Sequence, residues 1–468
     1  MIFHSITYLA FFAIVLAIYW QLPRVAQNVF IVGASYLFYG WEHPWFLIPL
    51  AASTLVDFSC ALAIERYPAR RRLFLVTSIC ASVGLLATFK YYAFAVENLN
   101  LLFTGVGLSP FRDALHLALP VGLSFYTFQS IGYIVDVYRG RVRASHDLIE
   151  YALYVSFFPQ LVAGPIERAG HMLPQYRSRR TFDAASWRDA LGLILWGFFK
   201  KLVIADQAAL VANKVFSLAT PAFPVLWAGV FAFTIQIYAD FSGYTDIARG
   251  SARLLGIDLM RNFRNPYLAC SPSDFWRRWH ISLSTWLRDF VYIPLGGSRC
   301  GVARASFNLL ATFTLSGLWH GASWNYVLWG VYWGLLILAE RFLVSLGLDR
   351  GVPLSLKIGF TFVLTSAGWL LFRERNLAQL VHELRQSPLT ASADEWQVGF
   401  YLAGLCLFYA LPLVIEMISG STESRRLHRL QPRPAARFAI DTALASLLFV
   451  GILIGRSLVA ADFIYFQF

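Results

Sequence analysis

The chain carries few charges for its length. Only 14% of its 468 residues are Asp, Glu, Lys or Arg, against 57% hydrophobic, and the mean hydropathy is +0.55. That balance excludes an ordinary soluble domain and equally excludes the disordered class that high charge produces. Cysteine is scarce as well. Cys60, Cys80, Cys270, Cys300 and Cys406 stand singly, so there is no disulfide framework and no thiolate pair at metal-ligand spacing. No His-Glu-x-x-His pair, Gly-rich phosphate loop or Gly-x-Ser-x-Gly elbow occurs, which leaves zinc-peptidase, nucleotide-loop and serine-hydrolase chemistry without an anchor. Internal repeats and low-complexity tracts are lacking too. No basic segment precedes the first apolar run and no small-residue cleavage site follows Trp20, so residues 2–22 read as a retained span, not a cleaved signal.

What is present is aromatic and apolar. Forty Phe, 22 Tyr and 15 Trp supply lipid-facing bulk and interfacial anchors. Apolar runs of near-spanning length recur at 2–22, 28–41, 44–64, 73–95, 114–137, 187–211, 222–243, 304–319, 322–344, 355–372, 397–418 and 437–456. They predict an all-α polytopic membrane protein with about 11 to 12 transmembrane helices and additional re-entrant or interfacial helices. The whole chain, 1–468, reads as one membrane-embedded domain, with 244–274 and 419–437 as loops. Tyr151 to Ile166 is apolar but broken by Pro159 and Gly164-Pro165, so it reads as re-entrant or buried among other helices. The formal charge of +12 would suggest nucleic acid in a soluble protein. Here the bases lie between spans and report topology, and no nucleic-acid partner is expected. Arg24, the group Arg66, Arg70, Arg71 and Arg72, and the group Arg139, Arg141 and Arg143 all fall on one side. By the positive-inside rule that side is cytoplasmic and the N-terminus faces out, in a multi-pass protein of the inner membrane.

Two histidines break this apolar background. His320 lies within a run from Ala305 to Ala339 that has no charged residue, and its surroundings, Ser316-Gly317-Leu318-Trp319-His320-Gly321-Ala322-Ser323, suggest a helix end. An ionisable group in such a stretch is expensive unless it faces a cavity or a partner. Imidazole is also the side chain best matched to general base work near neutral pH. His280 lies in Trp276-Arg277-Arg278-Trp279-His280. Ser271-Pro272-Ser273-Asp274 begins a helix well, and Phe275, Trp279, Leu283, Trp286 and Phe290 then share one face at helical spacing. An interfacial amphipathic helix with tryptophan anchors accounts for the Trp/Arg pattern but not for His280. Asp240 and Tyr244, in Tyr238-Ala239-Asp240-Phe241-Ser242-Gly243-Tyr244, end another charge-free run and are further candidates.

Three stretches, Phe275 to Gly297, Leu318-Trp319-His320-Gly321-Ala322 and Phe158-Pro159-Gln160-Leu161-Val162-Ala163-Gly164-Pro165-Ile166, together with Tyr238 to Tyr244, resemble the membrane-bound O-acyltransferase family. The similarity is to its bacterial branch, which acetylates alginate and related exopolysaccharides; the closing residues 462–468 are also similar to that subgroup. The resemblance implies helices around a central tunnel, with 271–346 as the catalytic-motif region, His320 as catalytic base and His280 lining the tunnel. Trp276, Trp279, Trp319 and Tyr244 would then face the developing oxyanion, Asp240 could orient an imidazole, and Arg277 and Arg278 could attract the phosphates of the donor. It further implies acetyl-CoA or another acetyl donor as substrate, no permanently bound cofactor or metal, membrane lipid around the spans, a polysaccharide acceptor, and separate periplasmic acetyltransferase partner proteins. A cell-wall D-alanyl transfer protein of the same fold and a transporter without acyl chemistry are the alternatives. The paired broken segments expected of a transporter are missing.

The charge asymmetry makes a prediction about sidedness. In a cysteine-free background in intact cells, an impermeant thiol reagent should label Asn98→Cys and spare Arg141→Cys. The opposite pattern would invert the topology.

Overall fold

A computed structural model describes residues 1–111, 118–162, 164–374, 376–426, 434–457 and 463–464. Every regular element among them is helical, as required of backbone that must satisfy its own hydrogen bonds inside lipid. Among the described residues, six helical stretches are long and apolar enough to cross a membrane: Pro44–Arg66, Pro68–Gly105, Phe223–Leu254, Trp324–Ser345, Leu354–Arg373 and Ala393–Ser419. The chain is a multi-pass membrane protein. Each of the six covers a predicted crossing; Ile6–Tyr19, Arg24–Gly40 and Ala439–Gly455 are helical but shorter.

The chain groups into two compact units. The first comprises Met1–Ala190 and Ala248–Met260, the second Leu191–Ile247 and Arg261–Phe468. Within the first, the segment broken by Pro159 forms the helices Leu148–Ser156 and Phe158–Leu161. Tyr151, Tyr154, Phe157 and Phe158 are buried there, so the freed backbone groups are sheltered among helices as expected; Ala163 lies outside the described residues. The predicted crossing at 114–137 begins later, at Leu123, and residues 112–117 lie outside the described set.

One predicted crossing extends further than expected, and two regions expected as loops are helical in part. Helix continues through a π-helical turn, Ala87–Tyr91, into Tyr92–Gly105, ten residues past the end of the predicted crossing 73–95. The helix Phe223–Leu254 runs eleven residues past 243. Its polar residues are accommodated by partners distant in sequence. In the second unit Asp246 meets Lys200 at 2.5 Å, and in the first Ser251 meets the Tyr8 hydroxyl at 2.8 Å. Helix also occupies 419–426 and resumes at Pro434, inside the predicted loop 419–437.

In the second unit the helices Val302–His320 and Trp324–Ser345 form a tight hairpin. Glycines permit the close approach that membrane helices use in place of a hydrophobic drive. A Cβ on Gly317 would lie 2.1 Å from the Tyr326 carbonyl oxygen, and one on Gly330 would lie 2.3 Å from that of Phe313. On the longer helix Trp329, Trp333 and Ile337 are buried, while Leu328, Leu335 and Phe342 face outward. The inward stripe and the hairpin turn together set where His320 stands. Gly330→Ala should therefore destabilise the detergent-solubilised protein by about 1–3 kcal/mol, the usual cost of overpacking. Gly359→Ala, with no heavy atom within 4 Å of the added methyl, should leave the thermal midpoint unchanged. Equal midpoints for the two variants would refute the close-packing account.

Candidate active site

Ser271 caps the helix Pro272–Arg278, its Oγ accepting from the Asp274 N–H at 3.2 Å, and Pro272 takes the first helical position. The helix does not continue as predicted. It ends at Arg278, and a second helix, Ile281–Leu287, starts after Trp279 and His280. His280 adopts a left-handed conformation, φ +42°, which costs a non-glycine residue about 1–2 kcal/mol. Neighbouring backbone holds it there: the Arg264 N–H donates to the Arg278 carbonyl and the Ile281 N–H to the Asn262 carbonyl, each at 2.9 Å. The segment is also not an interfacial helix, because Phe275, Trp276, Trp279 and His280 are all buried.

The break aims His280 inward. Its Nδ1–H donates to Asn262 Oδ1 at 3.2 Å. The same oxygen accepts from the Ser282 N–H at 3.2 Å and the Ser282 hydroxyl at 3.0 Å, which identifies it as the amide oxygen. Phe241 stands edge-on to the imidazole at 4.8 Å. Burial, with the His320 ring nearby, holds His280 well below the ordinary histidine range, so it is neutral at physiological pH.

His320 is the last residue of Val302–His320. Its Nδ1–H donates to the Ser316 carbonyl oxygen, one turn back, at 2.7 Å. A carbonyl can only accept, so Nδ1 holds the proton of the neutral ring and Nε2 presents its lone pair. Trp319 and Trp329 stand edge-on to the ring, both at 4.9 Å, and Phe372 at 5.5 Å. Trp319 also lies 6.0 Å from the His280 ring, so both imidazoles border one indole.

The other predicted residues divide. Trp276 packs on Trp329 at 5.7 Å, and Trp279 on Trp369 at 4.9 Å; both belong to the aromatic cluster around the histidines. Asp240 does not orient an imidazole. Its carboxylate is committed to Lys201 Nζ at 3.0 Å and to the Ile464 N–H at 2.8 Å, because a buried lysine in apolar surroundings demands a counter-charge. Tyr244 stacks on Phe463 at 4.0 Å. Arg277 is exposed, whereas Arg278 pairs with Asp274 at 2.9 Å. The orienting roles instead fall to Asn262 and the Ser316 carbonyl, and Trp329 and Phe372 complete the surroundings of His320. None of these stood out in the sequence. The nearest signal was the tryptophan nine residues after His320.

Residues 34–346 match the model of MBOAT, the membrane-bound O-acyltransferase family. The chain belongs to the membrane-bound O-acyltransferase family. It is similar to the probable alginate O-acetylase of Pseudomonas putida, 37% identical over the full length of both chains. It is 40% identical to the protein of the same description from Pseudomonas aeruginosa, over 95% of this chain and 90% of that one. A peptidoglycan O-acetyltransferase of Helicobacter pylori is 35% identical over 78% of this chain and 76% of its own. The chain is therefore an O-acyltransferase, and the transporter reading falls away.

For this acyltransferase, Asn262→Leu keeps the volume of the side chain but removes the acceptor shared by His280 and Ser282. Leaving such donors unpaired costs about 1–3 kcal/mol, and with His280 freed the acyl-transfer rate should fall about tenfold or more. Ser282→Ala retains the Asn262–His280 bond and should stay within about threefold of wild type. Comparable rates for both variants in isolated membranes would remove Asn262 from the site.

Proposed function

We propose that the protein transfers acetyl groups from a cytoplasmic thioester, acetyl-CoA or a similar donor, toward hydroxyls of an exported polysaccharide, alginate or a chemically related one. The observation that carries this reading is the His320 hydrogen bond: Nδ1–H donates to the Ser316 carbonyl at 2.7 Å, leaving Nε2 as the only nitrogen of the ring able to take a proton. His320 Nε2 removes the proton from the attacking hydroxyl as its oxygen bonds to the thioester carbonyl carbon. The C–S bond then breaks, and His320 returns the proton to the departing thiolate. The reaction needs no resident cofactor or metal, since the acetyl donor is itself a substrate. General base assistance of this kind supplies typically 10²–10⁴-fold.

The acetyl and polysaccharide assignments draw on the names of relatives that match across nearly all of this chain. The charge pattern supports an inner-membrane protein with its N-terminus outside and a donor arriving at the basic, cytoplasmic face. Acetyl-CoA does not cross a bilayer and the polymer lies beyond it. The first hydroxyl acetylated is either that of the sugar or one on a periplasmic acetyltransferase partner that completes the relay. Arg277, exposed beside the site, remains available to the donor's phosphates.

His320→Ala should abolish polysaccharide O-acetylation while the protein still inserts and accumulates. His280→Ala and Trp279→Ala should weaken it less severely, because these residues position and do not move the proton. Labelled acetyl transfer in membranes with matched protein levels measures the order. A His280→Ala defect deeper than that of His320→Ala would transfer the base role to His280.

A further inference from the structure

Asn376 caps a short helix, Leu377–Leu384, its Oδ1 accepting from the Ala378 N–H at 2.9 Å and the Gln379 N–H at 3.2 Å. This helix lies between the crossings Leu354–Arg373 and Ala393–Ser419 and belongs to neither. Leu377, Val381 and Leu384 are exposed, whereas Leu380 and Glu383 are buried. Leu380 packs with Leu226, Val230 and Leu370, with Phe216, Trp227 and Leu371 around them. That seat suits an aliphatic side chain and not a carboxyl. Yet Glu383, one turn on from Leu380, is only 3% exposed. Its Oε1 accepts from Gln379 Nε2 at 3.3 Å, and that amide also donates to the Ala219 carbonyl at 3.0 Å. Its Oε2 is buried with no hydrogen-bond partner. A carboxyl so placed is costly to ionise and takes up a proton instead.

The charges on the surrounding elements do not relieve it. Arg373 donates to Asn213 Oδ1 at 2.8 Å and lies over the Phe216 and Phe233 rings. Glu374 has the same sign as Glu383. Lys214, His382 and Arg385 are exposed, and Glu395 is taken up by the Ser392 N–H and hydroxyl. From Val215 to Ala239 the chain has no charged residue. Burial pushes the Glu383 carboxyl up to about 7; the Gln379 hydrogen bond lowers it and the Glu374 charge raises it further.

The same seat adjoins the candidate site. Leu370 and Leu371 directly precede Phe372, whose ring stands 5.5 Å from that of His320, and the Leu371 carbonyl accepts from Asn325 Nδ2. Trp20, at the cytoplasmic end of the first span on the proposed topology, donates to the Leu254 carbonyl at 3.1 Å. The Phe223 end of that long helix is then the outer one, and Ala219 and the short helix bonded to it face outside.

We propose that Leu377–Leu384 is a proton-operated latch, seated while Glu383 is protonated and lifted when it ionises, which slackens Phe372 beside His320. Once lifted, Glu383 meets water and its carboxyl returns to the ordinary value of 4.5. Seating is therefore strongest below pH 4.5, weakens as the pH rises from about 4.5 to about 7, and stays weak above that. The exposed Leu377, Val381 and Leu384 hold the lifted helix at the membrane surface. External alkalinity thus slows acyl transfer, whichever histidine is the base.

Hydrogen exchange of the purified, detergent-solubilised protein reads the latch directly, because amide protection reports local opening even when the open form is rare. In wild type, protection of the 378–384 amides, corrected for the intrinsic exchange rate, should fall roughly 10²-fold between pH 5 and pH 8. Protection of the 329–337 amides should not follow it. Glu383→Gln keeps an acceptor for Gln379 but cannot ionise, so its 378–384 amides should stay protected at both pH values. The same fall in both proteins, or none in wild type, overturns the latch. In isolated membranes the ratio of wild-type to Glu383→Gln transfer rates should drop at least about threefold over that range. Titration of the histidines is common to both proteins and cancels in the ratio. A constant ratio overturns the link from the latch to the site.

Discussion

A buried ammonium group organises the second unit. Lys201 Nζ lies 2.9 Å from Asp206 and 3.0 Å from Asp240, with all three side chains essentially sealed from the surroundings. In apolar surroundings none of these charges is tolerable alone, and removing one partner of such a buried set typically costs about 3–5 kcal/mol. The requirement dictates local backbone. Lys200–Ala205 forms a π-helical turn between two α-helices, an irregularity common at functional positions. Lys200 there meets Asp246 while Lys201 meets Asp240. The second oxygen of Asp240 accepts the Ile464 N–H, which ties a C-terminal residue to the same point. Phe241, next in sequence, is thereby fixed with its ring edge-on to His280. A charge-pairing requirement thus positions an aromatic wall of the candidate site without any of the charges entering it.

The two histidines are oriented by different means to the same chemical end. His320 uses its own helix, donating to the carbonyl one turn back. His280 uses a strained backbone angle and an asparagine eighteen residues away. In both, Nδ1 is the donor. Yet two imidazoles bordering one indole cannot both be charged in a site sealed from water, since like charges disfavour each other strongly at low dielectric. Burial keeps His280 neutral. If His320 takes a proton as proposed, a neutral His280 sets no positive charge against it. On the proposed reading, this asymmetry would separate His320 as base from His280 as its neutral companion.

The legible parts of the sequence were those set by local composition. Apolar runs located the long crossings, and histidines in uncharged or aromatic surroundings marked His280 and His320. What escaped was set by partners far away in the chain. The spacing of Phe275, Trp279, Leu283, Trp286 and Phe290 fits one continuous helix; the actual break at His280 depends on backbone bonds to Asn262 and Arg264. The stretch 244–254 looked like a loop because Asp246 and Ser251 are polar, and nothing local announces Lys200 or Tyr8 as their partners. Asp240 was singled out correctly as a costly buried charge but given the wrong partner, a lysine being as plausible a cause as an imidazole when only the sequence is known. Asn262 and the Ser316 carbonyl carry no sequence signal, since one is an ordinary polar residue and the other is backbone.

The preference for tryptophan around His320 has a chemical logic beyond bulk. Serine or threonine hydroxyls at this depth both give and take hydrogen bonds, and so would retain water. A buried water normally makes about three hydrogen bonds, and an indole N–H supplies one, with no lone pair to complete the set. A thioester carbonyl asks only for donors. Surfaces such as Trp276, Trp329 and Trp333 therefore give water few partners. The base that activates a hydroxyl for acyl transfer would activate water equally well, and water would release the acyl group as free acid. On the proposed reading of His320 as base, poor accommodation of water by these indole faces would leave the alcohol as the proton source and favour transfer over hydrolysis.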